Sequence, residues 1–377
     1  MASRTLFIQM IILSSFLLPF SNPADYNYPA VFNFGDSNSD TGGLVAGMGL
    51  LVGPPNGHKF FKTSSGRVCD GRLIVDFLMD AMELPFLNPY LDSIGMPSFQ
   101  KGCNFAASAS TILPSHAGST CPFSFGVQVD QFVRFKTRVL ELLPTATANK
   151  KIEKYIPVES FFQKGLYMFD IGQNDLTFAF YSKSLDEILL WIPNVLLEFE
   201  TGIKKLYDQG ARNFWIHNTG PQGCLPRNIA EFQTDPSKLD ELGCVSFHNE
   251  AARVFNLHLH ALCERLQNEY ADVNVTYVDI FTIKSNLISN HFQYGFKEPI
   301  MACCGYGGPP LNYDNRNTCG HTGTSAAAKA CSNSSEYVNW DGIHFTEAAN
   351  QHIASQILTG KYSDPPVSDE MPFLLKI

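Results

Sequence analysis

The chain contains 377 residues, of which 45% are hydrophobic, and this is enough to bury a large core. Its formal net charge is −9, and only 17% of its residues are charged. Because no run of basic residues is longer than Lys150-Lys151 or Lys204-Lys205, the charge pattern argues against nucleic acid and anionic membranes as partners.

The first residues are typical of a secretory signal peptide. Arg4 provides a positive charge, and residues 6–20 form an apolar stretch that is short for a membrane span. We therefore predict a signal peptide over residues 1–24, cleavage near Ala24, and secretion of the protein. The alternative is a membrane anchor. It is less favoured because the flanking residues fit a cleavable signal and the chain has no second long apolar stretch.

The first predicted strand, residues 30–34, breaks abruptly into Gly35-Asp36-Ser37. A serine hydroxyl becomes a good nucleophile only when a base removes its proton and the backbone presents it. Gly35 gives the chain room to turn, and the polar residues that follow are suited to expose Ser37. A lone triplet of this kind is usually an ordinary turn, so the catalytic interpretation depends on partners further along the chain.

Two later segments add groups that suit a serine nucleophile. The small-residue stretch at residues 102–111 allows backbone N–H groups to approach a substrate closely. Another apolar strand, residues 165–171, is followed by Gln173, Asn174 and Asp175. An asparagine at a strand end can donate a hydrogen bond to a developing oxyanion.

The segment Trp340-Asp341-Gly342-Ile343-His344 places a carboxylate and an imidazole three residues apart. Gly342 permits a turn, so Asp341 can bond one ring nitrogen of His344 and leave the other free as a general base. A lone pair at this spacing is common by chance in solvated loops. Its occurrence together with the segments above, in this order, favours catalysis.

The remaining periodicity indicates strands that alternate with helices, and therefore a parallel sheet with helices on both faces. We predict an α/β fold, a three-layer α/β/α sandwich with a central, mainly parallel five-stranded sheet. Ser37 and Asn174 then lie at the carboxyl ends of its strands. The predicted strands cover about residues 30–34, 101–106, 165–171, 213–218 and 273–280. The predicted helices cover about residues 72–82, 127–143, 188–207, 251–266 and 347–358, the last with Thr346 as its N-cap.

The ten cysteines match no tetrahedral zinc spacing, and in a secreted protein most of them should form disulfides. We expect one or two buried thiols, with Cys263 the best candidate. We also expect Cys224 to pair with Cys244, and Cys303 and Cys304 to reach separately to Cys319 and Cys331.

Asn274-Val-Thr and Asn333-Ser-Ser are N-glycosylation acceptor sequences that agree with secretion.

With these motifs, the sequence resembles the plant-type GDSL esterase/lipase family of the SGNH hydrolase superfamily. The resemblance extends from about residue 28 to about residue 362 and includes the phrases GRLIVDF (71–77), NTGPQGCLPR (218–227) and DGIHFTEAAN (341–350). It implies that Ser37 is the nucleophile, His344 the base and Asp341 the residue that orients the base. Because these residues come from both ends of a chain without a low-complexity linker, we expect one domain over residues 25–377.

The resemblance also implies an oxyanion hole formed by the Ser37 N–H, the Asn174 amide and a backbone N–H of residues 104–111. The family usually has glycine at the third donor, a position that we align with Ala109. Alanine still supplies the N–H, but it is costly if the backbone there has a positive φ. Gly102 is the alternative for this position.

An alternative fold, the α/β-hydrolase, requires the motif G-x-S-x-G and an acidic residue that is far from the catalytic histidine in the sequence. The chain has no such motif, and Asp341 and His344 are almost adjacent.

We therefore expect a monomeric serine carboxylic-ester hydrolase that needs no metal or organic cofactor and is secreted to the apoplast or cell wall. The resemblance admits short-chain acyl esters of sugars, wall polysaccharides or small plant metabolites, and also lipids, as substrates. The alternatives are an acyltransferase on the same scaffold and a catalytically silent carbohydrate-binding or defence protein.

Overall fold

The computed structural model describes residues 27–115, 119–148, 150–232, 235–320 and 328–366. The predicted signal peptide and its cleavage site lie outside the described residues. The strands are β1 (Val31–Gly35), β2 (Gly102–Asn104), β3 (Leu166–Asp170), β4 (Asn213–His217), β5 (Asn274–Val278), β6 (Glu298–Ala302), β7 (Cys304–Gly305), β8 (Lys329–Ala330), β9 (Tyr337–Asn339) and β10 (Ser363–Asp364).

The central sheet has the strand order β10-β5-β4-β3-β1-β2. Its first five strands in the chain are parallel, and they are the five that the sequence predicts. Residues of β1 and β3 are buried throughout, as expected of parallel strands that are covered on both faces. The sheet also has a sixth strand that the sequence did not indicate: the two-residue β10 runs antiparallel along the β5 edge.

The helices are bounded as follows: α1 (Gly43–Met48), α2 (Ile74–Ala81), α3 (Phe125–Ala148), α4 (Lys150–Glu153), α5 (Phe161–Lys164), α6 (Gln173–Phe180), α7 (Leu185–Asp208), α8 (Pro226–Phe232), α9 (Ser246–Glu269), α10 (Ile280–Ser289) and α11 (Glu347–Leu358). The five predicted helices correspond to α2, α3, α7, α9 and α11. Thr346 caps α11 as predicted, since its hydroxyl accepts a hydrogen bond from the Ala349 N–H at 3.2 Å.

Alternate side chains of the buried strands point to opposite faces, and each face packs on its own helical layer. One layer contains α3, α7 and α9 and contacts strand residues that are mainly aromatic: Phe32, Phe34, Tyr167, Phe169 and Phe214. The other contains α2, α10 and α11 and contacts Val31, Leu166, Met168, Trp215 and Val278. The molecule is therefore a three-layer α/β/α sandwich, and the predicted fold class is confirmed.

Three disulfides join Cys224 to Cys244, Cys303 to Cys331 and Cys304 to Cys319, which agrees with the predicted partners. The expectation of one or two buried thiols was too low, because four cysteines are free: Cys69, Cys103, Cys121 and Cys263. Each is buried, and burial raises the pKa of each thiol. Whether these four cysteines are free or disulfide-bonded therefore depends on packing in the core, which cannot be read from the spacing of cysteines in the sequence.

Both predicted glycosylation acceptors are exposed. Asn274 begins β5 at its solvent-facing end, and Asn333 precedes a short 3₁₀ turn, Ser334–Glu336. The carbohydrate itself stays a prediction. Among the described residues, no helix combines the length and the apolar character that crossing a bilayer requires.

The parallel topology brings several loops to one edge of the sheet. Ser37 follows β1, residues 105–111 follow β2, Asn174 follows β3, and the segment that leads to α10 follows β5. The carboxyl ends of parallel strands form the usual ligand-binding edge of such sheets. The chain between β9 and α11, which contains Asp341 and His344, also reaches this edge.

Candidate active site

Ser37 lies in a tight turn immediately after β1. The N–H of Asp36 still donates to the Asp170 carbonyl of β3 at 3.1 Å, whereas the Ser39 and Asp40 N–H groups turn back to the Asp36 carbonyl. Gly35 is required here because an added Cβ would lie 2.5 Å from the Asp170 carbonyl oxygen. Only glycine therefore lets β1 approach β3 closely enough to present the serine at the strand end.

The Asp40 carboxylate holds the turn against the loop that follows β2. It accepts hydrogen bonds from the N–H of Gly42 at 2.7 Å and from the N–H and hydroxyl of Ser108 at 2.7 and 2.8 Å. A buried carboxylate with several donors fixes local geometry firmly. The Ser37 turn and the segment around Ala109 are thus joined through one side chain.

His344 connects Ser37 to Asp341. Its Nε2 lies 2.8 Å from the Ser37 Oγ, and its Nδ1 lies 2.7 Å from Asp341 Oδ2. Gly342, between Asp341 and His344, has a φ of +100°, and a Cβ there would lie 2.2 Å from the Tyr313 ring. An imidazole held between a hydroxyl and a carboxylate is arranged to take the hydroxyl proton.

The Asp341 carboxylate is fully engaged by its own loop. Its Oδ1 accepts from the N–H groups of Ile343 at 2.9 Å and His344 at 2.8 Å, while Oδ2 faces the ring. Burial alone would raise the pKa of Asp341, but the charge and hydrogen bonds of His344 outweigh burial and hold this pKa below its ordinary value. Asp341 therefore stays ionised throughout the range in which a histidine titrates.

Asn174 lies at the start of α6, beside the Ser37 turn. Its Nδ2 donates to the Ser110 carbonyl at 2.9 Å and lies 3.4 Å from Asp36 Oδ2. A primary amide has two N–H bonds, and the Ser110 contact is the shorter of the two hydrogen bonds that Nδ2 donates. The longer and weaker one, to Asp36, is the one that a developing negative charge near Ser37 would displace.

The two alternatives for the third donor occupy different ends of the sheet. Gly102 pairs with Val31 at the start of β1, so the length of this five-residue strand, roughly 13 Å, separates it from the turn that contains Ser37. Ala109 lies in the loop after β2, next to the Ser110 carbonyl that Asn174 contacts. Its φ is +63°, the conformation in which glycine costs least. The geometry therefore favours Ala109 over Gly102.

A cavity opens beside Ser37 and Asn174. Pro221, Leu225, Ile343 and Phe345 contribute an apolar part of its wall. Small organic ligands generally bind in cavities with a partly apolar lining of this kind. His217, another histidine near a strand end, lies beneath this edge instead, with its Nδ1 3.9 Å from Asp170 Oδ2.

Sequence reasoning missed two cations in the cavity wall, Lys284 and Arg227. Lys284 is 3% exposed, and its ammonium lies 4.2 Å from the centre of the Phe345 ring. Burial lowers the pKa of Lys284, opposed by the carboxylates of Asp170 and Asp36, whereas burial and Asp170 raise the pKa of Asp36. A lysine within the apolar run of α10 was the available sequence signal.

One surface group has the composition of a metal site. Ligand atoms of His260, Glu264 and Asp364 lie within 4.8 Å of one another, but His260 Nε2 and Asp364 Oδ2 already form a 2.6 Å hydrogen bond, and both carboxylates are exposed. This group joins α9 to β10 and is separate from the cavity.

The chain is similar in sequence to several known proteins. A profile described as GDSL-like lipase/acylhydrolase matches residues 31–357. A GDSL esterase/lipase of Arabidopsis thaliana is 57% identical and aligns with 99% of this chain and 98% of its own length. A second GDSL esterase/lipase of this plant is also 57% identical, over 90% of each chain. An esterase of Hevea brasiliensis is 42% identical, over 90% of this chain and 88% of its own.

Proposed function

Since the chain belongs to the GDSL lipase/acylhydrolase family and is therefore an ester-hydrolysing serine hydrolase, we propose that Ser37, His344 and Asp341 form its catalytic triad. One observation carries the proposal. The Ser37 hydroxyl, the two ring nitrogens of His344 and the Asp341 carboxylate form a continuous hydrogen-bonded chain with contacts of 2.8 and 2.7 Å. Asp341 orients the ring and stabilises its protonated form.

The reaction proceeds in two halves. Ser37 Oγ attacks the ester carbonyl while His344 Nε2 takes the hydroxyl proton, giving a tetrahedral intermediate. The intermediate collapses, His344 returns the proton to the leaving alcohol, and the acyl group remains on Ser37. Water then attacks the acyl-enzyme with His344 again as the base, and Ser37 is released together with the carboxylic acid.

We assign the oxyanion hole to the Ser37 N–H, the Asn174 side-chain amide and the Ala109 N–H. Support comes from the contact of Asn174 with the Ser110 carbonyl, which brings the Ala109 segment to the same side of Ser37. Donors fixed before the reaction stabilise the developing charge without reorganisation. The positive φ of Ala109 supports its equivalence to a glycine position.

The substrate class that we propose is a short-chain acyl ester of a sugar, a wall polysaccharide or a small plant metabolite, with lipids as the wider class. The partly polar lining of the cavity, which includes Gln173, Gln222 and Arg227, supports a polar ester of this kind. Secretion to the apoplast or cell wall is part of the same proposal. The three disulfides support it because such bonds persist in oxidising compartments.

A fluorophosphonate probe tests the proposed nucleophile directly. The purified protein should label once, and peptide mapping should find the label on Ser37. The labelled protein should also lose hydrolysis of a panel of short acyl esters. An unlabelled protein, or a label on another residue, would contradict the assignment.

Asn174→Ala should lower kcat by roughly 10²–10³-fold with a smaller effect on KM, because the amide acts mainly on the charged intermediate. Steady-state kinetics on a short acyl ester measure both constants. The exposed Asn315→Ala variant is the matched control and should behave as the parent does. A rise in KM alone would make Asn174 a substrate-binding residue instead.

Ala109→Gly should be tolerated, because glycine adopts the observed φ of +63° at no steric cost. We expect the free energy of unfolding to change by no more than about 1 kcal/mol, since relief of strain offsets the greater entropy of the unfolded chain. Turnover of bulkier acyl esters should be maintained or improved. Ala109→Val, whose branched Cβ is incompatible with this φ, is the contrasting variant and should lose activity. A severe loss in Ala109→Gly would contradict the alignment of this segment.

A further inference from the structure

The cavity beside Ser37 contains the guanidinium of Arg227, which forms no ion pair in the part of the chain that the structure describes. Arg227 lines the cavity, and its Nη2 donates to the Thr177 hydroxyl at 3.1 Å, while its Nε makes a long contact of 3.5 Å to Asn228 Oδ1. Among the described residues, no carboxylate oxygen lies within 4 Å of this guanidinium. Arginine has five N–H donors, so several remain for a ligand.

Among the described residues, the titratable groups near Arg227 form no ion pair with it. The neighbouring Asp341 is satisfied by the His344 ring and by two amides of its own loop. His248, on the far side, is uncharged at neutral pH because burial, and then the charge of Arg227, lower its pKa to about 3. A partly desolvated cation without a counter-ion is costly unless something supplies the opposite charge.

The second cation of the cavity, Lys284, is buried and its ammonium lies over the Phe345 ring. Of the two cations, only Arg227 has a planar donor edge, and that edge matches a singly charged, planar anion that binds through two oxygens.

We infer that Arg227 forms a carboxylate-binding subsite, and that the preferred substrate is an ester that also carries a free carboxylate. The inference rests on the proposed function, because it places this subsite in the cavity of the proposed triad. The backbone N–H of Arg227 donates to the Gly342 carbonyl at 3.0 Å, between Asp341 and His344. The subsite is thus fixed to the loop of the proposed base, and a bound carboxylate holds the ester near Ser37.

Two matched pairs of esters test the inference. 3-Acetoxybenzoate and 3-acetoxybenzamide differ in charge on the alcohol side, and monophenyl adipate and its terminal amide differ on the acyl side. The parent should favour the acid in at least one pair by roughly 10- to 100-fold in kcat/KM. Arg227→Gln should bring that ratio close to one, Arg227→Lys should retain part of it, and the exposed Arg253→Gln control should retain all of it.

The inference would be overturned if neither acid is favoured, or if Arg227→Gln leaves the preference unchanged. 3-Acetoxyphenyl phosphate is included as well, and a stronger preference for it than for the carboxylates would overturn the assigned class. These ratios separate recognition of charge from a purely structural role of Arg227, which would lower the efficiency for the acid and the amide alike.

Calorimetric binding to Ser37→Ala makes the test independent of turnover. The acid of the favoured pair should bind at least about 10-fold more tightly than its amide, and adding Arg227→Gln should remove the difference. Hydrolysis that depends on Ser37 but shows no preference in rate or binding would contradict the subsite and leave the proposed function intact. Arg227-dependent binding to Ser37→Ala, together with no ester hydrolysis by the parent protein, would support the subsite and contradict the proposed function.

Discussion

Replacing Ser37 with alanine should lower kcat/KM for ester hydrolysis by about 10⁴-fold or more, because no other group in the site forms the acyl-enzyme. The side chain is small and lies in a turn held by backbone contacts and by Asp40, so the fold should be unchanged. Kinetics on a short acyl ester, with the far-ultraviolet circular dichroism spectrum and Tm measured in parallel, check both statements.

Ser182→Ala is the matched control, since this exposed serine lies outside the cavity. It should hydrolyse the ester as the parent does. If Ser37→Ala, correctly folded, kept more than about a hundredth of the parent rate, another residue would be the nucleophile, since loss of a triad member usually costs far more.

Asp341→Asn should reduce kcat by roughly 10⁴-fold while leaving the loop in place. The Asn Oδ1 can still accept from the Ile343 and His344 amides, but its NH₂ group would face Nδ1 of the ring. That contact favours the tautomer with the proton on Nε2, which has no lone pair to take the Ser37 proton. The variant also loses the negative charge that stabilises the imidazolium.

The pH dependence of the parent follows from the same pair. Asp341 remains ionised well into the acid range because its pKa lies below its ordinary value. Loss of rate on acidification therefore does not come from protonation of Asp341. Because a general base acts only when it is unprotonated, we expect kcat/KM to fall on acidification and to reach a plateau on the alkaline side. A flat pH profile, together with a nearly active Asp341→Asn, would contradict the triad.

Much of the fold could be predicted because its elements have local signatures. The strands that became β1 and β3 are short apolar runs that end in glycine and polar residues, and α9 and α11 have regular apolar spacing, with Thr346 as a recognisable cap. The two-residue strand β10 had no such signature, because it exists only where the chain returns along the edge of β5.

The motifs also allowed the candidate residues of the site to be chosen from the sequence. Ser37 and His344 are 307 positions apart, and each belongs to a motif whose chemistry requires the other. The third donor could not be chosen in this way. Gly102 and Ala109 belong to one small-residue segment, and only the register of β2 against β1 shows that Gly102 lies at the far end of the sheet.

The sequence by itself therefore determined the alternation of strands and helices and the identity of the residues that meet at Ser37. It also determined, for six cysteines, which disulfide partners are open to each of them. The tertiary structure alone decided that four thiols are buried and free, and that Arg227 lines the cavity without an ion pair to any described residue. The physical reason is that periodicity and turn chemistry are local properties of the chain. Burial and charge compensation depend on side chains that distant segments bring together.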